Sequence, residues 1–192
     1  MGNILKTGQQ LLEKKQYEEA LRISNQALEI DPDSVSGLML KGYALGGLEK
    51  YEEALDISNK ALGIDPKNID ALVLKFRALR TLRRRQEWFD ECLKALEINP
   101  GNIVLLIQKG NALLSLGRLE EALDVSNQVL EAEPRNSDAW TLKGHALRRL
   151  NRREEALDAS NRAWRLSRRK PVIKAFLKTM KKLLMPVKKS GK

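Results

Sequence analysis

Apolar residues recur along the chain at the spacing of an amphipathic helix, and the same pattern returns at a fixed interval. Residues 51–66 show it clearly: a charged first turn, apolar residues three and four apart, and a closing Asp-Pro pair. Near copies occupy residues 17–32 and 119–134, and a looser copy occupies 153–168. Such a repeat predicts a solenoid of helical hairpins, in which each unit packs on its neighbours.

Prolines fix the period of this pattern. Pro32, Pro66, Pro100 and Pro134 are each 34 residues apart. Cutting the chain after each proline turn gives five repeats: 1–34, 35–68, 69–102, 103–136 and 137–170. Each repeat contains one apolar-periodic run that predicts a first helix, a short break, and a second run that predicts a second helix.

Turn residues stand where these helices should begin and end. We expect the first helix to end at residues that accept left-handed backbone, namely Gly46-Gly47, Gly117 and Asn151. We expect polar side chains to cap the first helix of the following repeat, namely Asp33-Ser34, Asn68, Asn102 and Asn136-Ser137.

Small residues occupy three columns of the repeat. The eighth holds Gly8, Gly42, Phe76, Gly110 and Gly144; the twentieth holds Ala20, Ala54, Trp88, Ala122 and Ala156; the twenty-seventh is alanine or valine. Glycine inside a helix costs about 1 kcal/mol relative to alanine. Its recurrence predicts a close approach between the backbones of the two helices of a hairpin.

With leucine or tryptophan in the fourth column and proline in the thirty-second, this pattern resembles the tetratricopeptide repeat from residue 1 to about residue 170. The resemblance implies an all-α, right-handed superhelical solenoid of antiparallel helix pairs. It also implies a concave groove, lined by the first helices, that holds an extended peptide or a helix of a partner protein.

Two features depart from the family pattern. The twenty-fourth column, often aromatic in the family, holds Ser24, Ser58, Cys92, Ser126 and Ser160, and a serine there can bond back to its own helix. In the third repeat, Phe76 and Trp88 replace the small residues. Forcing large rings into such a contact would cost about 1–3 kcal/mol each, so we expect the two helices to spread or shift there. A repacked joint is the favoured interpretation, and a functional bend or a side pocket is the alternative.

Beyond Pro171 the chain changes character. Residues 171–185 predict one more amphipathic helix, with Phe176, Leu177 and Met180 on one side and lysines on the other. A repeat array needs a terminal cap, and Trp164 offers that helix a large surface to cover. We therefore expect one solenoid over residues 1–185, followed by a disordered basic tail at 186–192.

The residues that carry chemistry are too few for catalysis. Cys92 and His145 fall in different repeats, so they form no nucleophile–base pair, and metal-ligand spacing is absent. We predict a non-enzymatic protein with no cofactor and no metal. A single cysteine, no long apolar run and no signal-peptide pattern at the N-terminus fit a reduced, cytoplasmic setting.

Family geometry places the second, fifth, ninth and twelfth columns in the groove. The predicted binding residues are Leu5, Gln9, Met39, Tyr43, Val73, Arg77, Arg80, Ile107, Asn111, Thr141, His145 and Arg148. The pairs of residues that form the family's two-carboxylate clamp are missing, so no chaperone-tail clamp is predicted. The three arginines favour a partner with acidic residues, and the array ends offer surfaces for self-association.

Charge supports a second hypothesis. Residues 1–136 carry 18 basic and 21 acidic side chains, whereas residues 137–192 carry 17 basic and 4 acidic ones. The basic region 148–192 could bind nucleic acid or an anionic membrane surface. Against this, few aromatic residues are interleaved for stacking on bases, so a scaffold or adaptor that binds proteins is the favoured interpretation.

Overall fold

Ten α-helices joined by short turns account for residues 2–167, the part of the chain that the computed structural model describes. Nine of them are α1 (Gly2–Glu13), α2 (Tyr17–Ile30), α3 (Val35–Gly47), α4 (Tyr51–Ile64), α5 (Ile69–Thr81), α6 (Arg85–Ile98), α7 (Ile103–Leu116), α8 (Leu119–Ala132) and α9 (Ser137–Arg149). The tenth, α10, occupies residues 153–167. No strand occurs among residues 2–167, and the predicted all-α class is confirmed.

The helices belong to two compact bodies. The first ends at Leu116 and contains α1 to α7; the second begins at Gly117 and contains α8 to α10. In the first body each helix packs on the next along the chain, and α3 also contacts both α1 and α5. In the second body α8 packs on α9, and α9 approaches α10 at Gly144. That one array continues through all five repeats stays a prediction.

The first helix of each repeat is followed by a residue with left-handed backbone, and this residue recurs at a fixed position. The φ angles are 58° at Lys15, 61° at Glu49, 59° at Arg83, 83° at Gly117 and 61° at Asn151. The prediction is confirmed for Gly117 and Asn151. It is wrong for Gly46 and Gly47, which lie inside α3. The turn therefore occurs at the same position of each repeat, whether or not that position is a glycine.

Gly46 and Gly47 are small for a packing reason instead. A Cβ on Gly46 would overlap the guanidinium of Arg77, and a Cβ on Gly47 would overlap the ring of Tyr17. The end of α3 therefore leaves room for one side chain from α2 and one from α5.

Polar side chains cap the first helices of the second to fifth repeats, as predicted. The side-chain oxygens accept backbone N–H hydrogen bonds three residues on: Ser34 from Gly37 at 3.3 Å, Asn68 from Ala71 at 2.9 Å, Asn102 from Leu105 at 3.1 Å and Asn136 from Ala139 at 2.9 Å. Each bond satisfies a first-turn amide that has no partner within the helix.

The recurring glycine accepts a leucine from the next repeat. A Cβ on Gly8 would overlap the end of Leu40, and a Cβ on Gly42 would overlap the end of Leu74. At Gly42 the paired helix also approaches, through Ile57 at 3.4 Å. At these two positions the predicted approach of the paired helix's backbone stays a prediction. It is confirmed at Gly144, where a Cβ would lie 3.5 Å from the Ser160 nitrogen of α10.

The serine column is buried and satisfied within its own helices. Ser24, Ser58 and Ser126 are fully buried. Their hydroxyls donate to the carbonyl oxygens of Leu21, Leu55 and Leu123 at 2.7, 2.7 and 2.6 Å. This confirms the predicted bond back to the helix and explains how a polar group is accommodated in the core.

The third repeat buries both of its large rings. Phe76 and Trp88 are fully buried, and the backbones of α5 and α6 lie close together over a shorter stretch than those of α1 and α2 or of α3 and α4. The shorter contact fits the predicted spreading, which itself stays a prediction. Burial leaves the indole nitrogen of Trp88 without a hydrogen-bond partner among the described residues.

The far end of the second body exposes apolar side chains. Trp164 is 57% exposed and Leu157 is 64% exposed. The helix predicted at 171–185 and the tail at 186–192 lie outside the described residues, so the cap over this end stays a prediction.

Candidate functional site

A cleft of about 510 Å³ opens between α1, α3 and the beginning of α5. Because α3 contacts both of the other helices, it forms the floor, and α1 and α5 form the walls. The lining residues are Leu5, Gln9, Leu12 and Glu13 from α1, Val35, Ser36, Met39, Leu40 and Tyr43 from α3, and Asn68 and Asp70 at the start of α5.

Four of the predicted groove residues meet in this cleft. Leu5 and Tyr43 are half-buried and Gln9 is exposed, so all three present surface to a ligand. Met39 is only 9% exposed and belongs to the core cluster that includes Leu74. Its side chain therefore supports the floor of the cleft and offers little free surface.

Tyr43 lies close to charged side chains of both signs, Arg77 and Asp70. The guanidinium of Arg77 lies 5.4 Å from the centre of its ring, within the range of a cation–π interaction. Burial and the Asp70 carboxylate raise the pKa of the Tyr43 hydroxyl, and Arg77 partly opposes this rise. Tyr43 therefore stays protonated at neutral pH and can donate a hydrogen bond to a ligand.

The carboxylates of Glu13 and Asp70 lie on different walls of the cleft. Both side chains are exposed. Within the part of the chain that the structure describes, neither forms an ion pair. The lining contains no lysine and no arginine.

Seven lining residues are absent from the predicted binding set: Leu12, Ser36 and Asp70, which lie in columns that family geometry places in the groove, and Glu13, Val35, Leu40 and Asn68, which do not. Leu12 occupies the twelfth column, which family geometry had already placed in the groove, and that signal could have found it. Glu13 and Val35 lie at the end of α1 and the start of α3. They reach the cleft because the first helix of one repeat is shifted along its axis relative to the first helix of the next. The repeat pattern alone does not predict that shift.

Comparison with known proteins bears on the family. The tetratricopeptide repeat family matches residues 8–34, 35–68, 92–146 and 137–169, which together cover well over half of the chain. The chain belongs to the tetratricopeptide repeat family. A search of curated proteins gives no match.

Solved structures of tetratricopeptide repeat (TPR) proteins share the fold. MamA 41-end from Desulfovibrio magneticus RS-1 is 18% identical, with a TM-score of 0.71 over 87% of this chain and 94% of that one. YrrB, described as a TPR protein with an unusual peptide-binding site, is 26% identical, with a TM-score of 0.62 over 85% of this chain and 84% of that one.

The other groove residues that TPR geometry predicts in the first body lie outside the lining of the cleft. Val73, Ile107 and Asn111 are half-buried, and Arg80 is exposed in the last turn of α5. Arg77 touches the cleft only through the ring of Tyr43. The predicted residues that line the cleft therefore all come from α1 and α3.

In the second body of the TPR chain, Thr141 and His145 line a separate cavity of about 290 Å³ with Trp164 of α10. Burial and the nearby Arg148 lower the pKa of His145, so its imidazole is neutral at pH 7. Arg148 itself is exposed and does not line this cavity. This is the face that the helix predicted at 171–185 would cover.

The chemistry-bearing residues of the TPR chain show no assembled reactive centre in the described region. Burial raises the pKa of the Cys92 thiol well above its ordinary value, which keeps it protonated. No group of three or more His, Cys, Asp or Glu side chains among residues 2–167 could hold a metal ion. In the same range, no helix combines the length and apolar character needed to cross a membrane.

Proposed function

We propose that this TPR protein is a non-catalytic interaction module that holds a peptide or helix of a partner protein in the cleft between α1, α3 and α5. The observation that carries this proposal is the cleft itself, where side chains from three helices converge around Leu5, Gln9 and Tyr43. Acting as a scaffold or adaptor needs no more than such a site. YrrB, a TPR protein described as having an unusual peptide-binding site, supports the assignment because it shares the fold.

The cleft can recognise a segment by two kinds of contact. Leu5, Leu12 and Val35 provide apolar walls, on which a leucine or phenylalanine of the ligand would lose its exposure to water. Gln9, Ser36 and the Tyr43 hydroxyl can form hydrogen bonds with the backbone of the ligand, which would fix its register.

Binding of a displayed library of random peptides to the full chain tests this proposal. Tyr43→Ala should weaken the selected peptides by about tenfold or more, because a tyrosine in a binding cleft commonly contributes over 1–2 kcal/mol. The matched control is Tyr51→Ala, a half-buried tyrosine of α4 that does not line the cleft. Equal losses for the two variants, or no selected peptide at all, would reject the groove.

A second candidate function is binding of nucleic acid or an anionic membrane through residues 148–192, favoured by the surplus of basic residues there. Some of that charge is already neutralised: Arg152 pairs with Glu155 at 2.6 Å, and Arg162 pairs with Asp158 at 2.9 Å. Retention on duplex DNA or on vesicles containing phosphatidylserine would support this candidate if moderate salt abolishes it. Retention that moderate salt does not weaken would count against it.

A further inference from the structure

The charged side chains that line the cleft of the first body have one sign. Glu13 on α1 and Asp70 on α5 bring two exposed carboxylates to its walls, and its lining has no cation. Neither carboxylate has an ion-pair partner within residues 2–167. A ligand in the cleft would therefore meet a negative potential beside an apolar surface.

The arginines that favoured an acidic partner do not change this sign. Arg77 is stacked on Tyr43 and lies against the backbone of α3 at Gly46. Arg80 is exposed and absent from the lining, and Arg148 belongs to the second body. An acidic ligand would find no cation among the lining residues and would be repelled by Glu13 and Asp70.

We propose that the segment bound in this cleft carries a lysine or arginine next to an apolar anchor residue. This inference rests on the proposed function and adds the chemistry of the partner. The anchor packs against Leu5, Leu12 and Val35, and the adjacent cation lies near the Asp70 carboxylate, the Glu13 carboxylate or both. Complementary charge of this kind selects the partner and speeds encounter more than it tightens the complex.

The electrostatic part of the affinity should be modest and sensitive to salt. Exposed ion pairs contribute little, so removing one should weaken binding by no more than about fivefold. The effect should fade as the ionic strength rises and the Debye length shrinks below about 8 Å.

The test is selection of peptides from a displayed random library by the full chain, followed by titration of the best synthetic peptide. We expect an apolar residue with a neighbouring lysine or arginine to be enriched. Glu13→Gln and Asp70→Asn should each weaken that peptide by up to about fivefold at low salt. The matched control is Glu29→Gln, an exposed carboxylate of α2 outside the cleft, which should leave binding unchanged.

Charge reversal makes the test directional. Asp70→Lys should prefer a version of the peptide in which the lysine is replaced by glutamate. Enrichment of acidic peptides, or equal binding by Asp70→Asn, Glu13→Gln and the wild type, would overturn this inference while leaving groove binding intact. Concentration-dependent self-association that Asp70→Asn abolishes would also overturn it, because a second copy would then be the occupant. Failure of the proposed function has a different signature, namely no selected peptide or no effect of Tyr43→Ala.

Discussion

At the scale of single residues, Lys15, Glu49 and Arg83 adopt left-handed backbone at the position where the fourth repeat has Gly117. Side chains with a Cβ pay about 1–2 kcal/mol for this conformation, and glycine does not. The turn keeps this conformation because backbone N–H groups that follow it donate hydrogen bonds to carbonyl oxygens at the end of the helix. The Lys50 nitrogen, for example, donates to the Leu45 carbonyl oxygen at 2.9 Å.

Glycine should therefore stabilise the turns that lack it. We expect Glu49→Gly to raise the free energy of unfolding by about 0.5–1 kcal/mol, after allowance for the greater flexibility of glycine in the unfolded chain. Gly117→Ala should lower it by about 1 kcal/mol, although a Cβ there would meet no atom closer than 4.0 Å. Urea denaturation measures both, and loss of stability in Glu49→Gly would contradict the account. Asn151→Gly serves as the control, since asparagine tolerates this backbone.

Glu91 is the carboxylate that ties α5 to α6. It pairs with Lys75 of α5 and, at 2.9 Å, with Lys94 of its own helix. Burial raises the pKa of Glu91, but the hydrogen bonds from Lys75 and Lys94 outweigh burial and hold the pKa below its ordinary value of 4.5. Because the folded state favours the ionised form, this group stabilises the fold above that pH and ceases to do so as pH falls through the lowered pKa.

Glu91→Gln should therefore act in a pH-dependent way. We expect it to cost about 1 kcal/mol near pH 7 and progressively less below about pH 4.5. Urea denaturation at several pH values measures this difference. Glu97→Gln, at an exposed site on the same helix, is the control and should change little. A difference from wild type that persists in strong acid would show that the contribution of Glu91 is not ionic.

At the scale of elements, successive first helices interlock through a leucine of one repeat placed over a glycine of the repeat before. Leu40 covers Gly8, and Leu74 covers Gly42. The third repeat breaks the pattern, since Phe76 stands where glycine should be. In the fourth repeat, Gln108 occupies the column that holds Leu40 and Leu74 in the two repeats before it. The repeat that has Phe76 in place of glycine is therefore followed by a repeat that lacks the leucine.

Alanine at two helical glycines should have opposite effects. Gly42→Ala should destabilise by about 1–2 kcal/mol, because its Cβ overlaps Leu74, which is buried and cannot move away freely. Gly63→Ala, in α4 with no atom within 4 Å of its Cβ, should stabilise by about 0.5–1 kcal/mol. Thermal unfolding followed by circular dichroism compares them, and a shift of the same sign in both would refute the interlock.

At the scale of the whole molecule, acidic and basic side chains are unevenly distributed along the chain. The acidic cleft lies in the first body, and the basic surplus lies beyond residue 136. The second body ends in a partly apolar face at Trp164 that the predicted helix 171–185 would cover. We expect that segment to matter for stability rather than only for charge.

Truncation separates these roles. A chain that ends at Lys170 should unfold at a lower temperature than the full chain, with tryptophan emission shifted to the red as Trp164 becomes more exposed to water. A chain that ends at Met185 should behave like the full one. Equal melting curves for all three chains would show that residues 171–185 do not cap the second body.

The sequence by itself determined the period, the helices, the caps and the family. These follow from local chemistry, because apolar spacing predicts the helices and side chains such as Ser34 and Asn68 cap them. A column of the repeat can be recognised in the sequence because most repeats place the same kind of residue there. The hydrogen bond from Ser24 back to its own helix was predictable for the same reason.

Tertiary structure decided what each small residue accommodates and which groove residues meet. Gly46 and Gly47 read as a turn, yet they accommodate Arg77 and Tyr17, because the offset between helices is set by packing and not by periodicity. Met39 became core, whereas Glu13 and Val35 entered the cleft. The acidic sign of that cleft depends on which side chains from distant parts of the chain lie side by side, and no single repeat contains that information.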